Sequence, residues 1–196
     1  TAAQPVADYL AKPDQSLSVR VRAYMAKAAL SPGAGREIVS AIQKSDNVLL
    51  KCNLVRILSE LEGSEEYFEL LSKQQDVTGA IARFEIASRS GGKKAAKALA
   101  EMLKPGHPIV IDYAIFKMQK DIDAGDTDTD FYVGPMMQFI ASANIDSRRM
   151  TPTNGRVAKA IRLLGRTGGT TSTWALRELL RKKSNTTLRE LAVGAL

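Results

Sequence analysis

A chain that matches itself at a fixed offset is built from repeated units, and this constrains the fold more than any single motif does. At an offset of 29 residues Val19 falls on Val48 and Val77, Ala23 on Cys52 and Ile81, and Ala26 on Val55 and Phe84. Ala28, Ile57 and Ile86 align, as do Ala29, Leu58 and Ala87. Ile38 matches Tyr67 and Ala96, Ala41 matches Leu70 and Leu99, and Ile42 matches Leu71 and Ala100. Composition alone gives roughly two or three wholly apolar columns over such a period, and here there are eight. An offset of 32 carries Val77 to Ile109, Ile81 to Tyr113, Phe84 to Phe116 and Ile86 to Met118. The same offset takes Ala160 to Ala192, Ile161 to Val193 and Leu164 to Leu196. An ordinary antiparallel helical bundle also yields coincidences of this kind and is the competing architecture.

Within each period the apolar spacing is helical. Leu17, Val21, Tyr24, Met25 and Ala28 recur at three- and four-residue steps, with Arg20, Arg22 and Lys27 outside the stripe. The Ser31-Pro32-Gly33-Ala34-Gly35 segment interrupts the ladder, and a second helix follows with Ile38, Ala41 and Ile42 inward. Gly63, Gly91-Gly92, Pro105-Gly106, Gly125, Gly155 and Gly168-Gly169 divide the rest, giving about eleven helices and no hairpin signature. The segment from Val48 to Leu61 is apolar nearly all round, leaving a polar stripe through Asn53, Arg56 and Glu60, so it must be covered on more than one side. The single cysteine, Cys52, falls in this segment as a small core residue and excludes an intrachain disulfide framework.

Five segments carry a resemblance to a known family. Residues 16–23, 106–114 and 187–192 resemble the first helices of HEAT-type repeats, and residues 97–104 and 174–181 resemble the second helices. The resemblance covers residues 16–196 as about five pairs and a leftover first helix. It implies an all-α fold of antiparallel helix pairs stacked as an α-solenoid, with residues 1–15 as an N-terminal extension and 16–196 as one repeat domain. Most rows lack the aspartate usual before the first helix, and the fourth pair carries a long connection at residues 121–130. The final helix, from Thr187, ends on apolar Leu196, so it either folds back on earlier helices or belongs to a longer protein; the latter is the expectation. The start at Thr1 is read as a processed end, with no signal peptide. With one cysteine, the expected compartment is intracellular and reducing, cytoplasmic or nuclear.

No catalytic constellation emerges, and no cofactor or metal is expected. His107 lies in a Pro-Gly-His-Pro turn without a nucleophile motif and is read as a capping or surface residue. Gly91-Gly92-Lys93-Lys94 superficially resembles a phosphate loop but lacks the upstream glycine and strand, so it is a turn. The Asp121, Asp123, Asp126, Asp128 and Asp130 cluster fails the calcium-loop pattern, because Phe131 and Met137 occupy the positions needing glycine and glutamate. It is expected to be a solvated loop with an N-cap at Asp128 or Asp130. No apolar run is long enough to span a bilayer.

Charge supplies the one sharp hint. Residues 1–131 hold 17 basic and 18 acidic side chains, whereas residues 132–196 hold 11 basic and 3 acidic, so the net charge of +7 belongs to the last third. Arg156, Lys159, Arg162 and Arg166 share a helical face opposite Val157, Ala160, Ile161 and Leu164. Arg148 and Arg149 lie upstream, and Arg177, Arg181, Lys182 and Lys183 extend the basic character onto the next helix. Such a ridge attracts anionic surfaces without reading bases. Trp174, placed in the core by its spacing with Leu176 and Leu180, leaves few aromatics for base stacking. The expectation is a non-catalytic scaffold for a protein partner, with the basic third engaging an anionic surface. The alternatives are nucleic-acid binding, as in the HEAT-like DNA alkylation-repair glycosylases, and membrane or nucleoprotein association, since residues 131–150 faintly resemble part of the influenza-type viral matrix protein.

Overall fold

A computed structural model describes residues 3–10, 12, 15–104, 107–125, 129–143, 152–181 and 186–196. Among these the regular structure is helical throughout, with no strand: α1 (Ala3–Leu10), α2 (Leu17–Leu30), α3 (Ala34–Lys44), α4 (Val48–Leu58), α5 (Glu65–Ser72), α6 (Val77–Ser88), α7 (Gly92–Leu103), α8 (Pro108–Asp123), α9 (Val133–Ser142), α10 (Pro152–Thr167), α11 (Thr170–Arg181) and α12 (Thr186–Val193). A short 3-10 turn, Asp130–Tyr132, leads into α9. The helices from α2 onward follow the expected breaks except at Gly155, which lies inside α10 instead of ahead of it, and α1 lies within residues 1–15. No helix among the described residues is long and apolar enough to cross a membrane. The chain forms two compact units, Thr1–Ile86 and Ala87–Leu196.

In the first unit α1 lies on α2, α2 and α3 both pack on α4, and α3 meets α5. The reversal between α2 and α3 falls at Ser31–Gly33, as the proline and glycine require. Asn47 caps α4 by accepting a 2.9 Å hydrogen bond from the Leu50 amide, which satisfies one orphan donor of the first turn. Six α4 residues, Leu50, Cys52, Leu54, Val55, Ile57 and Leu58, are buried, as the near-continuous apolar pattern demanded. Each fully buried leucine contributes about 1.5–3 kcal/mol of transfer free energy. The Cys52 thiol is pushed up to about 12, chiefly by burial, so it stays protonated and inert at neutral pH.

Long polar side chains fasten neighbouring helix ends in this unit. Arg83 on α6 donates to the carbonyl oxygens of Ser72 and Gln74, covering acceptors that α5 leaves open at its C-terminus. Lys51 pairs with Asp76 at 2.8 Å, and Asp76 also accepts from the Gly79 amide at the start of α6. Burial alone would raise the Asp76 carboxyl, but the Lys51 and backbone hydrogen bonds outweigh it and hold it below the usual carboxylate range.

Several expectations fail in the first unit. Lys27, placed outside the apolar stripe of α2, is 6% exposed, and its ammonium is paired with Glu37 on α3. The pair spans the α2–α3 turn, so the burial follows from the reversal and not from the α2 pattern. Met25, expected inward, is exposed. The Ala41–Leu70–Leu99 column also breaks, because Leu70 is exposed while Leu71 is buried. The buried leucines of α5 and α7 therefore recur one residue short of the 29-residue period.

In the second unit helices meet their next-but-one neighbours as well as their sequence neighbours. α7 packs on α9 and α9 on α11, while α8 packs on α10 and α10 on α12. Met102, Ala114, Met118, Tyr132, Met136, Ile140, Leu176 and Leu179 make up much of the core. Phe131 and Tyr132 stack with ring centroids 4.2 Å apart, and the Tyr132 hydroxyl donates to Asp121 at 2.6 Å.

The aspartate segment is not the loop expected of it. α8 runs through Asp121 and Asp123, and Asp121 also meets Lys117 one turn earlier. Asp130 is the first residue of the 3-10 turn, whose N-cap is Thr129 with no side-chain cap bond. Its carboxylate instead lies beside Gly169 and accepts from Thr171 at 3.4 Å, at the α11 N-terminus, where negative charge is favoured. Asp126 and Asp128 lie outside the described residues. No group of three metal-ligating side chains forms among the described residues.

α12 buries Leu188 and Ala192 and leaves Val193 exposed, and Leu196, beyond the helix, is exposed too. Its approach to α10 depends on Gly165, where an added Cβ would overlap the Ala195 backbone carbonyl, whereas a Cβ on Gly155 of the same helix meets nothing within 4 Å. Gly165→Ala is expected to destabilise the protein by about 1–2 kcal/mol through overpacking against rigid backbone. Gly155→Ala is expected to stabilise it by about 0.5–1 kcal/mol through helix propensity alone. Urea unfolding followed by circular dichroism measures both, and equal effects of one sign would contradict the α10–α12 packing.

Candidate functional site

The sequence periodicity of α10 carries directly into its environment. Val157, Ala160, Ile161 and Leu164 are fully buried, and this seam turns Lys159, Arg162 and Arg166 outward. Beside them runs α8, with Asp112, Phe116, Gln119 and Asp123 spaced three and four residues apart along one face. Between the two helices lies a groove of about 660 Å³, bordered by Lys159, Arg162 and Arg166 and floored by Ile115, Phe116 and Leu163.

Two ion pairs frame the groove. The Arg156 guanidinium donates from Nε and Nη2 to the two Asp112 carboxylate oxygens, both at 2.8 Å, in a fork-to-fork arrangement. Its hydrogen bond to Asp112 holds the guanidinium pKa above its ordinary value, against a smaller opposing effect of burial. Arg166 donates to Asp123 at 2.6 Å, and Gln119 donates to the other oxygen of that carboxylate at 2.7 Å. The Arg166 and Gln119 hydrogen bonds hold the Asp123 carboxyl below its ordinary range. Asp112 and Asp123 follow the same order along α8 as Arg156 and Arg166 along α10, so the two helices run parallel. At 1.5 Å per residue the two pairs stand about 15 Å apart along the helix axes.

The basic ridge is thereby divided. Arg156 and Arg166 are neutralised, while Lys159 and Arg162, both exposed, have no carboxylate partner among the described residues. Arg177 and Arg181 do not line the groove; they lie exposed on α11, with Arg181 bonded to Glu178 at 2.6 Å. Arg148, Arg149, Lys182 and Lys183 lie outside the described residues. The α8 side of the groove was missed by sequence reasoning, although the spacing of Asp112, Phe116, Gln119 and Asp123 was a readable signal.

Trp174 corrects another expectation. It is 64% exposed, and α11 buries Ser172, Ala175, Leu176 and Leu179 instead. Thr170, Trp174, Arg177 and Arg181 follow one another at four-, three- and four-residue steps along the exposed face of α11. His107 stands at the N-cap of α8, where its carbonyl accepts from the Val110 and Ile111 amides, but its side chain makes no cap hydrogen bond. Gly91 and Gly92 form the expected turn, both with positive φ. No protein-family model, no characterised protein and no solved structure matches the chain.

The pairing of the outer cations can be tested directly. Asp112→Asn with Asp123→Asn frees two guanidiniums, and the double variant is expected to elute from a cation exchanger at higher salt than either single variant. Because both pairs are substantially exposed at the carboxylate, solvent screens them and thermal stability should change little. An unchanged elution position would show that the carboxylates do not offset the ridge.

Proposed function

We propose that the chain is a non-catalytic binding module, a HEAT-like array of stacked helical pairs whose basic C-terminal third holds an anionic protein partner. The observation that carries the reading is the groove between α8 and α10, with Lys159 and Arg162 free above an apolar floor. Concave apolar surfaces with a few convergent polar groups are where proteins bind partners. Next-but-one packing of helices within each unit supports stacked pairs, in which alternate helices form layers. Exposed Leu70 beside Tyr67, in a second groove of about 620 Å³ between α3 and α5, adds a further surface suited to a protein contact.

Fluorescently labelled polyglutamate titrated at two salt concentrations tests the anionic reading. Binding is expected at low ionic strength and should weaken as salt rises, because the contact is electrostatic. Lys159→Glu with Arg162→Glu should reduce affinity at least tenfold, and undiminished binding would refute the site.

One observation favours a second reading, in which the basic third meets nucleic acid or an anionic membrane. Trp174 projects into solvent beside Arg177 and Arg181, and an aromatic ring next to cations suits both base stacking and a lipid interface. Trp174 is the sole tryptophan, so intrinsic fluorescence reports on this face alone. On this reading single-stranded oligonucleotide quenches the emission, or phosphatidylserine vesicles shift it to the blue. Indifference to both removes it.

A further inference from the structure

Resting on the reading of the α8–α10 groove as an anion-binding site, we infer that its occupant is a short, extended acidic peptide segment with apolar side chains between its carboxylates. The distribution of charge selects this class. A polyanion follows a continuous track of cations, but here the ends of the track are closed, since Arg156 and Arg166 are held by Asp112 and Asp123. Both carboxylates are about half exposed, and they repel phosphates arriving beyond the centre. Among the described residues of the groove, the cations without a carboxylate partner are Lys159 and Arg162, one helical turn apart.

Beneath these two cations the floor is apolar, made by Ile115, Phe116 and Leu163. A ligand that only carries charge leaves that floor wet. A ligand with apolar side chains buries it, at about 25 cal/mol per Å² of apolar surface covered. The length is also set: the roughly 15 Å between the framing ion pairs accommodates four or five residues of extended chain at 3.3 Å each. An acidic residue near each of Lys159 and Arg162, with apolar side chains directed downward, matches the groove in charge, length and floor. Arg162 offers the planar fork that a carboxylate accepts bidentately, and Lys159 a point charge.

Fluorescence polarisation with three labelled probes tests the inference. The probes are a peptide in which two glutamates alternate with a phenylalanine and a leucine, so that an extended backbone sets the carboxylates on one side and the apolar side chains on the other, its analogue with both apolar residues replaced by serine, and a single-stranded oligothymidine. The first peptide is expected to bind at least tenfold more tightly than the serine analogue. Arg162→Ala and Lys159→Ala should each weaken it several-fold, and Gln119→Trp, which fills the groove from α8, should weaken it at least tenfold. Circular dichroism checks that each variant folds. The two cation variants alter exposed side chains and keep the test decisive if Gln119→Trp does not fold. Equal affinity for the serine analogue would overturn the apolar component while leaving the anionic site in place. Tighter binding of oligothymidine than of the first peptide would overturn the peptide assignment in favour of nucleic acid. Failure of every anionic probe to bind would overturn this inference and the site together.

Discussion

The second unit depends on one seam. Val157, Ala160, Ile161 and Leu164 are withdrawn completely from water, and a helix that buries one stripe has no freedom left in its rotation. Everything on the opposite face of α10 follows. Lys159 and Arg162 must be exposed, and Arg156 and Arg166 must lie where α8 can reach them. The Arg–Asp pairs do not hold the helices together, because ion pairs this open to water are screened by it and contribute little. Burial of the four-residue seam contributes far more. The pairs matter for charge, since they decide which cations remain available.

That division of labour explains why much of the structure could be read from the sequence and why the remainder could not. Local periodicity identifies the buried face of a helix; for α10 it did so residue by residue, and for α4 it did so past the first turn, where Val48 and Leu49 stay exposed. It fails where coverage is incomplete. The apolar stripe of α2 is only partly covered, with none of its members fully buried, and Met25 is exposed despite its place in the stripe. Lys27 is buried for a reason outside α2 altogether, because Glu37 is brought to it by the turn at Ser31–Gly33. The misplacement of Trp174 has a simpler origin: residues two apart face away from each other on a helix, so Leu176 was never evidence for its burial.

The candidate site illustrates the same limit at longer range. All four cations on α10 were legible in the sequence, because charge and helical spacing are local properties. Their pairing was not, since Asp112 and Asp123 lie more than forty residues earlier and meet the arginines only once α8 and α10 run side by side. The aspartate cluster shows the reverse error. Asp121, Asp123 and Asp130 look like one group along the chain, yet each is committed elsewhere: Asp121 to Tyr132, Asp123 to Arg166 and Asp130 to the start of α11. Along the chain they read as one solvated loop with an N-cap, and three separate structural contacts replace it.

The parallel course of α8 and α10 gives the groove its character. Between antiparallel neighbours, a ligand lying along the groove would meet helix dipoles of opposite sense, which largely cancel. Between parallel neighbours the dipoles add, so both C-terminal ends present partial negative charge at the end marked by Asp123 and Arg166. The two N-terminal ends present partial positive charge at the end marked by Asp112 and Arg156. An extended anionic segment in the groove is therefore drawn toward the Asp112 end and repelled from the Asp123 end. Arg162, toward the middle, sets the register through its planar fork.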